Sequence, residues 1–283
     1  CGSLSAQQMG MYLLEEARTK GVEFLTAAFS GVETFGGRVS GVRIDVDGTE
    51  QIIRSDTVVL STGPYLKSSA ALLGVDLPVV VEKHIKISLA DPKGAVPRTA
   101  PLIIWADPTD LPWSTEERAA LMESEETRRL AETFPAGVHG RPVGAGDQLL
   151  MYWTYDCESS STPVYPMEWD PFLPEITLRG MAVLVPGLRQ YLDPMPKPYV
   201  DGGYYTKTPE NRPLIGPLDV PGAFVCSAFS GFGIMASCAS GELLAQHVTG
   251  SNLPSYAPAF DPARYKDPAY RELVENWDAS GQL

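Results

Sequence analysis

Apolar positions along the first twenty residues recur at helical spacing: Met9, Tyr12, Leu13 and Ala17 follow Ser5 and Gln8, which are spaced as a capping box, and the run ends at Gly21. From Val22 to Gly63 the period shortens. Short β-rich runs are broken by Gly36-Gly37 and Asp47-Gly48, pairs that favour the positive-φ turns of hairpins. The pattern predicts a strand, a small antiparallel meander, and then a continuous apolar strand in Asp56–Gly63. A strand without polar alternation is one covered on both faces, as in a layered sheet with helices packed against it.

A different region begins at Pro78. Leu77–Pro92 alternates as a long strand, and Ser114 with Glu117 opens a highly charged helix expected to run to Phe134. A glycine-rich loop (Gly137–Gly146), an aromatic strand (Gln148–Asp156) and a proline-rich stretch with a short helix near Leu178–Tyr191 complete it. The last third changes character again. Asp201–Gly216 predicts a strand, a proline-bearing loop and a short apolar run, and Ala223–Gly250 predicts strand, glycine loop and helix. The fold class expected is mixed α/β, with boundaries near residues 77, 200 and 250 and a peripheral tail at 251–283.

The 283 residues carry 22 Lys+Arg against 35 Asp+Glu, a net charge of −13, with no basic cluster, which argues against a nucleic-acid partner. Apolar runs fall far short of the ~20 residues a membrane helix requires. The four cysteines, Cys1, Cys157, Cys226 and Cys238, show no CxxC spacing, so free thiols in a reducing, cytoplasmic setting are expected. His84, His139 and His247 share no ligand motif with any cysteine, and no metal is expected. GxSxG and P-loop signatures are both absent.

Ser230–Ala236 matches GxGxxA between a predicted strand and helix. A dinucleotide fingerprint needs a further strand and an acidic residue ~20 positions on, which this segment lacks. Two readings remain: Gly231 and Gly233 permit a tight strand-to-helix turn, or they clear the way for an electron-rich group at the unpaired amides of a helix start.

Gly21–Glu23, Gly36–Val42, Asp56–Leu66, Thr208–Leu218 and Pro221–Ala245, in that order, resemble the D-amino-acid oxidase family of FAD-dependent oxidoreductases, the glycine and sarcosine oxidase-like group. The resemblance implies a glutathione-reductase-type FAD-binding domain with a mixed-sheet substrate domain inserted between its halves, so that 1–77 and 201–250 form one domain and 78–200 another. It also implies an upstream strand–GxGxxG–helix unit. None precedes the first helix and the chain starts at Cys1 rather than Met, so a piece of a longer protein is expected.

By the same resemblance Gly231, Phe232, Gly233, Ile234 and Met235 lie over the flavin pyrimidine. Thr62 and Gly63 approach the ADP moiety, and Val32 either meets the adenine through its main chain or packs in the core. Tyr205 faces the substrate, and Arg212 is the nearest cation for a substrate carboxylate, because the arginine and lysine anchors of relatives are replaced here by Tyr205 and Met235. Gly203 stands where some sarcosine oxidases carry a flavin-tethering cysteine, which predicts non-covalent FAD. The implied reaction is hydride transfer to flavin from a C–H beside the nitrogen of a small amine or amino acid, with oxygen or another acceptor reoxidising it. The lack of lysine in Leu149–Asp156 favours a dehydrogenase. The alternative is a degenerate, non-catalytic flavoprotein-like binding subunit.

Overall fold

In the computed structural model, which describes residues 4–277, the Ser5 side chain accepts a hydrogen bond from the Gln8 amide at 3.2 Å and opens α1 (Ala6–Thr19). No residue of α1 is buried. The segment from Gly21 to Ala27 has no regular structure, so the strand expected from Val22 is missing and the first one is β1 (Ala28–Phe35). β1, β2 (Arg38–Val46) and β3 (Thr49–Arg54) form the antiparallel meander, turning through Gly36-Gly37 and Asp47-Gly48, all at positive φ. Asp45 fixes the second turn by accepting from the Gly48 amide at 2.8 Å.

β4 (Val58–Leu60) follows, then a 3-10 turn at Gly63–Tyr65 and the short α2 (Leu66–Ala71). The chain separates into two units, one reaching to Val81 and resuming at Tyr205, the other spanning Glu82–Tyr204. The second unit is therefore inserted in the first, with the passages falling inside β5 (Val80–Ala90) and β12 (Tyr199–Lys207).

Within the inserted unit β5 alternates from His84 onward. Ile85, Ile87 and Leu89 are buried, while Glu82, His84 and Lys86 occupy the other face. β6 (Ile103–Ile104), β9 (His139–Pro142), β10 (Gln148–Tyr152) and β11 (Ser159–Ser160) complete the sheet in the order β11-β5-β10-β9-β6, with β12 also paired to β5. β7 (Thr109–Asp110) and β8 (Thr133–Phe134) form a separate ribbon.

Three expectations need correction here. The charged helix stops early: α3 (Thr115–Leu121) carries the full Ser114–Glu117 capping box, but extended Ser124 opens a second, one-turn helix, α4 (Glu125–Arg128). A second N-cap residue thus divides what its charge pattern joins. The glycine-rich segment after Gly137 contains β9, because Gly140 without a side chain lets that strand lie against the Leu150 carbonyl and Met151 of β10. The helix expected near Leu178–Tyr191 starts earlier, as α5 (Leu173–Leu184), and Pro186 converts the remainder to a 3-10 helix.

The core of this unit gathers Ile87, Leu89, Met151, Trp153, Leu173, Ile176 and Leu188. The Trp153 ring packs where a side chain at Gly180 would stand, and its indole donates to the Pro135 carbonyl at 3.1 Å. Met151 and Trp153 of the aromatic segment are therefore core, whereas Tyr152 stacks on His139 with ring centroids 5.0 Å apart.

On its return the chain forms β12, β13 (Leu214–Pro217), β14 (Ala223–Ser227) and the long α6 (Gly233–Thr249). β14 is central, antiparallel to β13 and parallel to β4. Leu60, Leu66, Val79, Leu214 and Val225 form one core cluster, and Ile215, Leu243 and Ala257 a second.

The proline-bearing segment beyond Gly250 is fastened to this unit by a buried ion pair. Arg264 holds Glu210 at 2.8 Å with side chains 4% and 1% exposed, and the hydroxyls of Tyr265 and Tyr270, the latter on α7 (Pro268–Glu275), reach the same carboxylate at 2.7 and 3.0 Å. Burial alone would raise the Glu210 pKa, but hydrogen bonds from Tyr265 and Arg264 outweigh it and hold the carboxyl below its ordinary value. A depressed folded-state pKa contributes stability that is complete above the unfolded value of about 4.3 and is lost as pH falls through the folded one. Glu210→Gln, which leaves Arg264 buried without its counter-charge, is expected to cost about 3–5 kcal/mol. It should also flatten the acid limb of stability, as measured by urea unfolding between neutral and acid pH.

Candidate active site

The parallel pairing of β14 with β4 matches Ala223 to Val58 and Val225 to Leu60, so the carboxyl ends of both strands emerge at one edge. Beyond β4 that edge carries Thr62 and Gly63; beyond β14 it carries the 228–232 loop and the start of α6. The structure thus brings together sequence segments more than 160 positions apart. Carboxyl edges of parallel strands are where α/β sheets collect ligands.

Two features of this edge suit a cofactor. Thr62 Oγ1 is buried with no hydrogen-bond partner among the described residues, and such an atom calls for a ligand or solvent donor. Gly63, at φ +53°, leaves open space where a side chain would be. At the other segment, Phe232 precedes α6 without a side-chain cap, and the first intrahelical bond runs from the Ala236 amide to the Phe232 carbonyl at 3.1 Å. The amides of Gly233, Ile234 and Met235 consequently have no acceptor inside the helix, and helix geometry points them outward with the positive end of the dipole. Phe232, Ile234 and Met235 are exposed, so the opening is not plugged by their side chains.

The loop that delivers α6 is held in an uncommon conformation. Ala228, Ser230 and Gly231 all have positive φ, at 61°, 49° and 86°. For Ala and Ser this geometry costs about 1–3 kcal/mol each, and strain of this kind concentrates where backbone position matters to function. It is sustained by burial of Ala228 and Ser230 and by the Ser230 amide donating to the Thr206 carbonyl of β12 at 3.1 Å. Neither residue type signals a left-handed position in a sequence, so this strain was invisible there.

Tyr205 packs its ring against Gly231: a Cβ built on that glycine would lie 2.5 Å from Tyr205 Cε2. The expected substrate-facing phenol and the expected flavin-facing loop are therefore in contact. Gly203, two residues earlier, has open space at its Cβ position.

Arg212 and Val32 are placed differently. The main chain of Arg212 is tied at both ends, its amide donating to Thr208 Oγ1 at 2.9 Å and its carbonyl accepting from Arg264 at 3.0 Å. Its positive charge lies near the Tyr270 phenol. Val32 is buried, packs its side chain into the core with Leu60 and Val225, and pairs with Val42 in the meander.

The family described as FAD dependent oxidoreductase matches this chain over residues 1–247, and the chain belongs to that family. Among solved structures it is similar to L-proline dehydrogenase from P. horikoshii, with a TM-score of 0.64 and 19% identity over 90% of this chain and 58% of that one. Glycine oxidase from Geobacillus kaustophilus gives 0.62 and 20%, over 92% and 58%. Iminodiacetate oxidase from Chelativorans sp. BNC1 gives 0.63 and 16%, over 90% and 58%. At such identities the likeness speaks to the fold, and the chain spans under three fifths of each neighbour. No helix among the described residues is long and apolar enough to cross a membrane.

Gly231→Ala is expected to lower stability by about 2–4 kcal/mol, combining left-handed strain with overlap on Tyr205. Adding Tyr205→Ala should recover the overlap part alone, so the double variant unfolds at higher denaturant than additive costs allow, as a double-mutant cycle of urea midpoints would measure.

Proposed function

We propose that this chain is part of a FAD-dependent enzyme that oxidises the C–H bond beside the nitrogen of a small amine, either an amino acid or an N-substituted amine. Support comes from family membership, and above all from one observation: an uncapped helix start and a partnerless buried hydroxyl on the same strand edge. The solved neighbours named above are described as acting on proline, glycine and iminodiacetate, all amines bearing carboxylates.

When bound, FAD supplies the hydride acceptor, and the rest falls to the protein. In this proposal the amides of Gly233, Ile234 and Met235, with Gly231 and Phe232 shaping the approach, offer fixed donors to the end of the ring that gains negative charge. Preorganised donors at a site of developing charge lower the barrier without reorganisation. Thr62 Oγ1 and the Gly63 backbone would hold the nucleotide portion, and the Val32 main chain its adenine end. Open space at Gly203, with no nucleophile there, favours non-covalent binding. Tyr205 would orient the substrate through its hydroxyl and ring. Arg212 is proposed as the cation for a substrate carboxylate, with the ties on its main chain fixing the loop that carries it.

The acceptor preference rests on β10, where no lysine is found; Lys86 on the adjacent strand lies opposite Tyr152 and is paired with Asp201 at 3.1 Å. A dehydrogenase using an acceptor other than oxygen is the proposed form.

The test is anaerobic mixing of the full-length, FAD-loaded protein with a panel of secondary amines and amino acids of both hands. Bleaching of the oxidised flavin band by at least one of them is expected, and absence of bleaching with all of them would overturn the assignment. A protein that stays colourless after FAD is added would point instead to a non-catalytic subunit. For the amine that reacts, Tyr205→Phe should raise KM about tenfold, the size of one lost hydrogen bond to a charged group, with flavin content unchanged.

A further inference from the structure

The polar face of β5 carries Glu82 and His84 two residues apart, and the loop between β10 and β11 lays Cys157 against them. One ligand atom from each, a carboxylate oxygen, an imidazole nitrogen and the thiol sulfur, all lie within 4.8 Å of one another. His84 Nε2 and Glu82 Oε2 are 3.6 Å apart. In a tetrahedral zinc site, bonds of about 2.0–2.3 Å place ligand atoms roughly 3.3–3.8 Å from each other. The histidine–carboxylate pair already has that spacing, and the sulfur lies within 4.8 Å of both.

We infer that Glu82, His84 and Cys157 form a three-ligand site for a divalent transition-metal ion of the zinc type, with a fourth position open to water. The donor set carries the assignment. Thiolate, imidazole and carboxylate together exclude hard ions such as magnesium or calcium, which take all-oxygen cages, and suit zinc. The site is set back from solvent, with side chains of His84 and Glu82 only 10% and 17% exposed.

A surrounding bond holds one ligand in place: the Ser159 hydroxyl donates to Glu82 Oε1 at 2.9 Å, which leaves Oε2 facing the histidine, and outer hydrogen bonds of this kind orient metal ligands. In the metal-free site the Cys157 thiol donates to the Lys83 carbonyl at 3.1 Å, a bond given up when the thiol proton leaves. A cavity of about 660 Å³ is lined by chain neighbours of the ligands, Lys83, Asp156, Glu158 and Ser159, and by Glu168, so three carboxylates flank one ammonium beside the site.

Binding replaces the thiol proton. The sulfur–hydrogen bond breaks, a sulfur–metal bond forms, and one proton leaves to solvent. Thiolate and carboxylate then supply two negative charges against the ion's two positive ones, so no net charge is left buried. The expectation of no metal rested on spacing along the chain, where His84 and Cys157 are 73 positions apart; the sheet removes that distance.

The experiment uses the full-length, FAD-loaded protein, stripped with chelator and reloaded with one equivalent of Zn²⁺, and reads zinc K-edge X-ray absorption, which flavin colour does not obscure. One bound zinc per chain is expected, with a single sulfur neighbour at about 2.3 Å and nitrogen or oxygen neighbours at about 2.0 Å. The sulfur neighbour should vanish in Cys157→Ser and persist in Cys238→Ser. His84→Gln, an uncharged replacement of similar size, should keep the sulfur and weaken binding at least tenfold by competition with a chromophoric chelator. Failure to retain zinc, a spectrum without sulfur, or a sulfur neighbour that survives in folded Cys157→Ser would each overturn the site. Should Cys157→Ser not fold, unchanged affinity in His84→Gln would overturn it equally.

Discussion

Everything at the candidate active site depends on the parallel pairing of β4 with β14. Three residue pairs, Val58–Ala223, Val59–Phe224 and Leu60–Val225, bring the end of one segment beside the end of another that follows the whole inserted unit. Had β14 met β4 antiparallel, Thr62 and the start of α6 would lie at opposite ends of the sheet. The pairing is stabilised by burial: Leu60 and Val225 are 2% and 0% exposed and share a core with Leu66 and Leu214. Burying each such side chain is worth about 1.5–3 kcal/mol, so a few central contacts outweigh the strain of the loop they support.

That strain has a structural logic. Between Ser227, the last residue of β14, and Gly233, the first of α6, the chain must reverse within five residues, and Ala228, Ser230 and Gly231 do so through left-handed conformations. A longer loop could make the same turn in relaxed geometry but would leave the helix start free to move. The short, strained form fixes the three uncapped amides relative to the strand edge, with Tyr205 closing against Gly231 from β12. Preorganisation of this kind is what electrostatic stabilisation of a developing charge requires.

Much of this was legible in the sequence because the signals were local. The Ser5 cap, the hairpin turns at Gly36-Gly37 and Asp47-Gly48, the alternation in β5 and the order of strand, glycine loop and α6 each follow from residues within one turn or one strand of each other. Misjudged elements were those in which local signals compete. Ser124 restarts a helix that the charge pattern continues, and Gly140 serves a strand by close approach in a segment whose glycines suggest a loop. The partnerless Thr62 hydroxyl and the left-handed Ala228 and Ser230 leave no mark in composition or periodicity, since they are consequences of packing.

The same reasoning applies to the polar face of β5. Alternation along β5 was visible, and it correctly places Ile85, Ile87 and Leu89 in the core. By symmetry it must also place Glu82, His84 and Lys86 together on the reverse face, where a strand presents side chains at every second position. What sits opposite them is decided by β10 and β11, which lie on either side of β5 and are joined by a connection that carries Cys157 across. A motif search asks which ligands are close along the chain. A sheet answers with those that are close across it: β5 sets Glu82 and His84 two residues apart on one face, and the connection from β10 to β11 lays Cys157 beside them.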